Sequence, residues 1–159
     1  MRAMLLEKPR PVEENPLRLA ELPLPVPAAG EIRIKVRACA VCHTDLHIVE
    51  GHLPLPKLPV VPGHQIVGTV DMLGAGVGEF REGDRVGVPW LYSTCGECRY
   101  CREGLENLCE RGRFTGFHAD GGYAEAMVAP AAFAYELPGN FADLEAAPCS
   151  VRALSVIAP

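Results

Sequence analysis

The stretch CGECRYCREGLENLC sets Cys95, Cys98, Cys101 and Cys109 at the spacing C-x2-C-x2-C-x7-C. A structural zinc ion takes four soft ligands in a tetrahedron, commonly four thiolates. Two residues between cysteines let a tight turn aim two sulfurs at one ion. The longer gap lets the chain return with the last one. Four thiolates leave no open coordination position, so the chemistry is structural, not catalytic. An iron–sulfur cluster uses similar runs, and plain free thiols are a third reading. A structural zinc lobe, spanning residues 90–112, is the expectation.

A second set of residues has ligand chemistry without the short spacing. AVCHTDLH (Ala40 to His47) carries Cys42, His43, Thr44, Asp45 and His47, and VPGHQIVG (Val61 to Gly68) carries His64. A catalytic zinc site uses three protein ligands and keeps one position for water or substrate. Cys42 and His64 are suitable ligands, and a set of this kind needs one more cysteine. Asp45 is of the type that fixes a ligating imidazole. Thr44 and His47 are of the types that could pass a proton from an alcohol to solvent. Each also has an ordinary reading. Cys42 could be a small core residue, Thr44 and Asp45 could cap a helical turn, and His47 and His52 could be surface residues. Cys39 reads as a buried thiol on the face opposite Cys42.

Both sets need a scaffold. A chain of 159 residues is enough for one domain with a real core. A net charge of −5, with no basic run, gives no footprint for nucleic acid or an acidic membrane surface. The N-terminus MRAMLLEKPRP has too short an apolar stretch for a signal peptide. No stretch approaches the roughly 20 apolar residues of a membrane span. A cytoplasmic location is expected, where seven cysteines serve as metal or catalytic residues and not as disulfides.

The best strand is Glu31 to Ala38, where Ile32, Ile34, Val36 and Ala38 alternate with Arg33, Lys35 and Arg37. Gln65 to Val70 and Asp84 to Val88 read as further strands, separated by the glycine-rich turn GAGVGEFREG. Met1 to Leu6 and Gly122 to Val128 are weaker strand candidates. LPLPVP (Leu22 to Pro27) reads as a stiff connector into the strand at Glu31, in preference to a polyproline ligand. Short strands with few helices predict a mainly β barrel or sandwich.

Taken together, C-H-T-D-x-H, then P-G-H, then the four-cysteine lobe resemble the zinc-dependent medium-chain alcohol dehydrogenases. GEIRIKV, the GAGV turn, FREGDRVGVPW and GFHADGGYAE extend the resemblance over almost the whole chain. It implies a GroES-like β-barrel catalytic domain, followed in the family by a Rossmann domain that binds NAD(P). By position, Cys42 and His64 look like catalytic zinc ligands. Thr44 and His47 resemble the proton-relay pair, Asp45 the residue behind the zinc-ligating imidazole, and His43 a residue near the cofactor pyrophosphate. The partner implied is a small primary or secondary alcohol or aldehyde. Gln65 stands where the family usually has glutamate, which leaves the zinc surroundings more positive.

No G-x-G-x-x-G lies between a strand and a helix, and GAGVG at Gly74 has the wrong spacing. The expectation is therefore a catalytic domain over residues 1–148, with the Rossmann domain absent, NAD(P) not bound and no turnover by this chain alone. A stand-alone zinc-binding module without catalysis is the competing reading. Self-association through an uncovered interdomain face is also expected. Residues 149–159 depart from the family, which continues after EAAP with two apolar residues and Cys-Ala-Gly. The third ligand would fall near position 151, yet Cys149 follows Pro148 directly. One base lost at Pro148 lets the undamaged triplets encode Leu-Leu-Cys-Ala-Gly. The tail thus reads as out of frame, with Cys149 reaching the zinc as the other reading.

Overall fold

The structure, a computed structural model, describes residues 1–154. Its elements run β1 (Arg2–Leu6), β2 (Leu17–Glu21), β3 (Glu31–Cys39), α1 (His43–Glu50), β4 (Ile66–Leu73) and β5 (Arg85–Val88). Then come β6 (Leu91–Ser93), α2 (Arg99–Arg102), β7 (Arg113–Phe114), β8 (Ala126–Pro130), β9 (Tyr135–Glu136) and α3 (Asp143–Leu154). Among the described residues the main sheet is antiparallel, in the order β8-β3-β4-β5-β9. Two smaller ladders, β1-β2 and β6-β7, complete the strands.

The period-2 pattern of β3 is realised. Ile32 and Ile34 are fully buried and Ala38 nearly so, while Lys35 and Arg37 are exposed. Ile32 and Ile34 meet Ile66 and Val70 of β4, Val86 and Val88 of β5, and Met127 and Ala129 of β8 in one apolar cluster. The turn between β4 and β5 depends on a close approach. A Cβ on Gly74 would lie 1.8 Å from the Ala28 carbonyl oxygen, so only glycine fits there. Leu22 to Pro27 has no regular structure, as a connector requires.

The Gly122 to Val128 expectation is corrected at its start. The strand begins at Ala126, because the backbone of the preceding residues is bonded elsewhere. Gly121 N–H donates to Val61 O, Gly122 N–H to Gly63 O and Tyr123 N–H to Pro62 O. This segment holds the loop that carries His64. Bridges Leu6↔Val60 and Ala3↔Ala124 tie the same loop and segment to β1.

At the end of the described chain, α3 packs Ala146 and Ala147 against Ala38 and Val67. Asp143, in its first turn, accepts from Arg37 Nε at 2.6 Å and from Arg85 Nε at 2.9 Å. The helix runs through Pro148 and Cys149, across the junction between the expected domain and tail. Residues 155–159 of that tail lie outside the described residues. Among the described residues no helix is long and apolar enough to cross a membrane.

Candidate metal centres

The lobe follows from local chain geometry. After β6, Cys95 enters a turn, Cys98 precedes α2, Cys101 lies in α2, and a 3-10 turn at Glu106–Leu108 delivers Cys109. The four ligand sulfurs all lie within 4.8 Å of one another. Cys98 to Cys101 and Cys109 to Cys95 are 3.5 Å, and Cys95 to Cys101 is 3.9 Å. A tetrahedron with Zn–S bonds of about 2.3 Å has edges of about 3.8 Å, close to these three separations, so the donor set suits that ion. The Cys95 sulfur accepts the Cys98 N–H at 3.4 Å. Backbone N–H groups of Glu97 and Cys98 pull the Cys95 thiol down to about 6, which favours the thiolate a metal needs. Leu105 and Leu108 are exposed, so the lobe has little apolar packing of its own there.

The second centre is built around Asp45, which is 3 % exposed. Cys42 is the N-cap of α1, and its N–H donates to Asp45 Oδ2 at 2.9 Å. The other oxygen, Oδ1, accepts the Gly63 N–H at 3.2 Å and lies 3.2 Å from His64 Nδ1. The helix-cap reading of Asp45 and its reading as the residue behind a ligand are therefore both realised by one carboxylate. With Nδ1 turned to Asp45, Nε2 of His64 is the nitrogen left for a ligand role. Cys42 and His64 each shift the other's titration. Burial pushes the Cys42 thiol up, but hydrogen bonding from Thr44 and His64 outweighs it and the net shift is down. Burial pushes His64 down, but Asp45 and Cys42 outweigh it and the net shift is up.

Thr44 and His47 lie one turn apart on α1, with Thr44 Oγ1 3.7 Å from the Cys42 sulfur. His47 Nδ1 lies 3.0 Å from His52 Nδ1, and the ring of His43 meets that of His47 edge-on at 4.6 Å. Cys39, expected to be buried, is half-buried, and burial pushes its thiol up to about 12. Gln65 is buried beside His64. Cys149 is exposed on α3. Among the described residues the lobe is the one group of three or more such side chains gathered for a metal, so Cys149 is not brought to Cys42 and His64.

Two features of this centre carried no separate signal in the sequence reading. Trp90 packs edge-on against His64 at 4.8 Å and stacks on Phe114 at 4.9 Å, walling one side of the imidazole. Gly63 holds φ +94°, and a Cβ there would lie 2.7 Å from Tyr123 Cδ1 and 2.9 Å from the Cys39 sulfur. The P-G-H motif thus needs its glycine for backbone conformation and for space.

With this geometry in hand, comparison with known proteins decides the family. The model of the alcohol dehydrogenase GroES-like domain matches residues 28–139. The chain belongs to this family. The probable alcohol dehydrogenase AdhA of Mycobacterium tuberculosis is 49 % identical over 153 residues, covering 93 % of this chain and 44 % of that protein. The cobalt- and zinc-bound thermostable alcohol dehydrogenase of Pyrobaculum aerophilum superposes with TM-score 0.87 at 34 % identity, covering 97 % and 46 %. The RspB alcohol dehydrogenase of Escherichia coli CFT073, complexed with NADH, gives TM-score 0.82 at 40 % identity, covering 92 % and 41 %. The GroES-like chain thus spans less than half the length of these relatives. The GroES-like fold expected from the sequence is the one found.

Proposed function

We propose that this GroES-like domain is the zinc-binding, alcohol-binding part of an NAD(P)-dependent alcohol dehydrogenase. The observation that carries the reading is the Asp45 carboxylate, which joins the Cys42 turn of α1 to the His64 loop. It ties together the elements that carry one thiol and one imidazole, with a hydroxyl and a second histidine on the same helix.

Cys42 and His64 would supply two of the three protein ligands that a catalytic zinc ion takes, so this centre is incomplete and would hold the ion weakly, whereas Cys95, Cys98, Cys101 and Cys109 would hold a structural one. When bound at the first centre, zinc supplies a Lewis acid that makes an alcohol hydroxyl more acidic. Asp45 keeps the His64 ring oriented and its Nδ1 occupied. The Thr44 hydroxyl would accept the alcohol's proton as it gives up its own, and His47 would carry that proton toward solvent, where His52 lies exposed. Trp90 excludes water from the imidazole. His43, exposed at the start of α1, would meet the cofactor's phosphates.

The nicotinamide that accepts the hydride needs a nucleotide site, and these 159 residues carry no fingerprint for one. The polypeptide by itself is therefore expected to bind no NAD(P) and to turn over no alcohol. Val41, next to Cys42, and Leu144 on α3 are strongly exposed apolar residues that a second domain or a second copy would cover. Size-exclusion chromatography is expected to show self-association. The charge balance and reduced thiols suit a cytoplasmic setting. Cys149 stays outside the proposed ligand set, and the base sequence around Pro148 tests the out-of-frame reading of the tail.

The decisive experiment replaces the matching part of the Mycobacterium tuberculosis relative with residues 1–147. The chimera is expected to oxidise a simple alcohol with NAD(P) and to lose that activity with Cys42→Ala. A chimera that binds zinc and cofactor but is inactive overturns the reading. The zinc-module alternative predicts that inactive result. An iron–sulfur lobe would show itself as a coloured protein.

A further inference from the structure

Among the described residues, one buried side-chain oxygen or nitrogen has no hydrogen-bond partner, the hydroxyl of Tyr123. A buried hydroxyl left unpaired is costly, so such a group in a well-packed site calls for an explanation. Its position supplies one. Tyr123 and Asp45 line the same cavity of about 350 Å³, whose other walls, including Met4, Leu17, Val41 and Val49, are largely apolar. The Tyr123 ring edge lies where a Cβ on Gly63 would sit, against the residue that precedes His64. The backbone of Tyr123 is fastened to the same loop through its N–H to Pro62 O at 3.0 Å.

Asp45 has capacity for one more donor. A carboxylate offers about four lone-pair sites. Asp45 uses three, for the Cys42 N–H, the Gly63 N–H and His64 Nδ1. The Tyr123 hydroxyl, on the same cavity and without a partner, is a donor suited to the fourth.

We propose that Tyr123 is a positioning residue of the Cys42–His64 centre, donating its hydroxyl to the Asp45 carboxylate and so fixing the orientation of the His64 ring. This rests on the reading of Cys42 and His64 as metal ligands. Tyr123 does not touch the metal or the substrate. It acts through Asp45, which otherwise answers to three N–H donors on one side and an apolar cavity on the other. Phenylalanine would keep the ring against Gly63 and remove only the donor.

The test compares the isotope-labelled, zinc-loaded chain with its Tyr123→Phe variant by NMR. The wild-type chain is expected to show a slowly exchanging Tyr123 hydroxyl proton and a protected Nδ1 proton on His64. In the variant the His64 Nδ1 proton is expected to exchange with water about threefold to tenfold faster, the size of one lost hydrogen bond. Amide signals outside the Gly63 and Asp45 surroundings should stay in place, which separates this effect from a loss of fold. Unchanged exchange at His64 in a folded variant overturns the proposal. Added Co²⁺ tests the parent reading separately. If it leaves the His64 and Cys42 signals untouched while Tyr123→Phe still speeds the exchange, the ligand assignment fails and the Tyr123–Asp45 link stands.

Discussion

In the four-thiol lobe, the first and last donors, Cys95 and Cys109, are 14 positions apart, and turns of the intervening chain bring them together. In the second centre Asp45 and His64 are 19 positions apart and come from a helix and a loop. The lobe donors are half-buried with few apolar neighbours, whereas Asp45 and His64 are almost completely buried. On the proposed reading an ion would hold the first cluster, because thiolates in proximity repel, although backbone N–H groups meet the sulfurs of Cys109 and Cys95. The second kind is held by its carboxylate before any ion arrives. On that reading, one site would be organised by its metal and the other by its fold.

The sharpest way to break that contrast is metal removal. Structural zinc in small sites is worth on the order of 10 kcal/mol of apparent folding free energy. A strong chelator, or Cys101→Ala, is expected to open residues 95–112 to proteolysis while the circular dichroism of the sheet persists. Loss of the sheet signal together with the lobe would mean that the two regions fold as one.

Asp45→Asn makes the complementary attack. It weakens the charged acceptor of two backbone N–H groups and one imidazole at once, and about 3 kcal/mol of stability should go. Urea unfolding measures it. A midpoint equal to wild type would show that the second centre is no more preorganised than the first.

Glycine substitutions separate conformation from packing. Gly63 and Gly96 both have positive φ, at +94° and +70°, but a Cβ on Gly96 meets nothing within 4 Å. Gly96→Ala is expected to cost about 1 kcal/mol from backbone strain alone. Gly63→Ala adds collisions with Tyr123 and Cys39, and should cost about 3 kcal/mol. Equal costs in thermal unfolding would remove the packing difference between the regions.

The smallest effect concerns the anchor of α3. Hydrogen bonding to Arg37 holds the Asp143 carboxyl below its ordinary value of 3.8, with Arg85 adding to it. A depressed acid stabilises the fold fully above its ordinary value. The contribution is lost as pH falls from there through the lower folded value. After solvent screening it is at most about 1 kcal/mol. Asp143→Asn should flatten that part of the acid limb of the stability curve, and an unchanged limb would show that the clasp carries no free energy.

The lobe was legible in the sequence because its geometry is local: spacing alone fixes which sulfurs can share an ion. The β3 strand was legible because one face is buried, which writes a period of two into the residues. The start of β8 was not legible. Gly122 to Glu125 look like strand residues, but the N–H groups of Gly122, Tyr123 and Glu125 donate to Gly63, Pro62 and Arg2, partners about 60 or more positions away. The double use of Asp45 was half legible. Its cap role follows from its place three residues after Cys42, whereas its bond to His64 depends on a loop arriving from elsewhere.

The sequence by itself determined the donor types, their order and the short-range turns, because these depend on neighbouring residues and on the chemistry of each side chain. Tertiary structure alone decided that Asp45 faces His64, that Trp90 walls the imidazole, that Tyr123 reaches the same cavity and that Cys149 points outward on α3. Those outcomes depend on how separate segments pack, and no residue spacing records the distance between segments until the sheet brings them together.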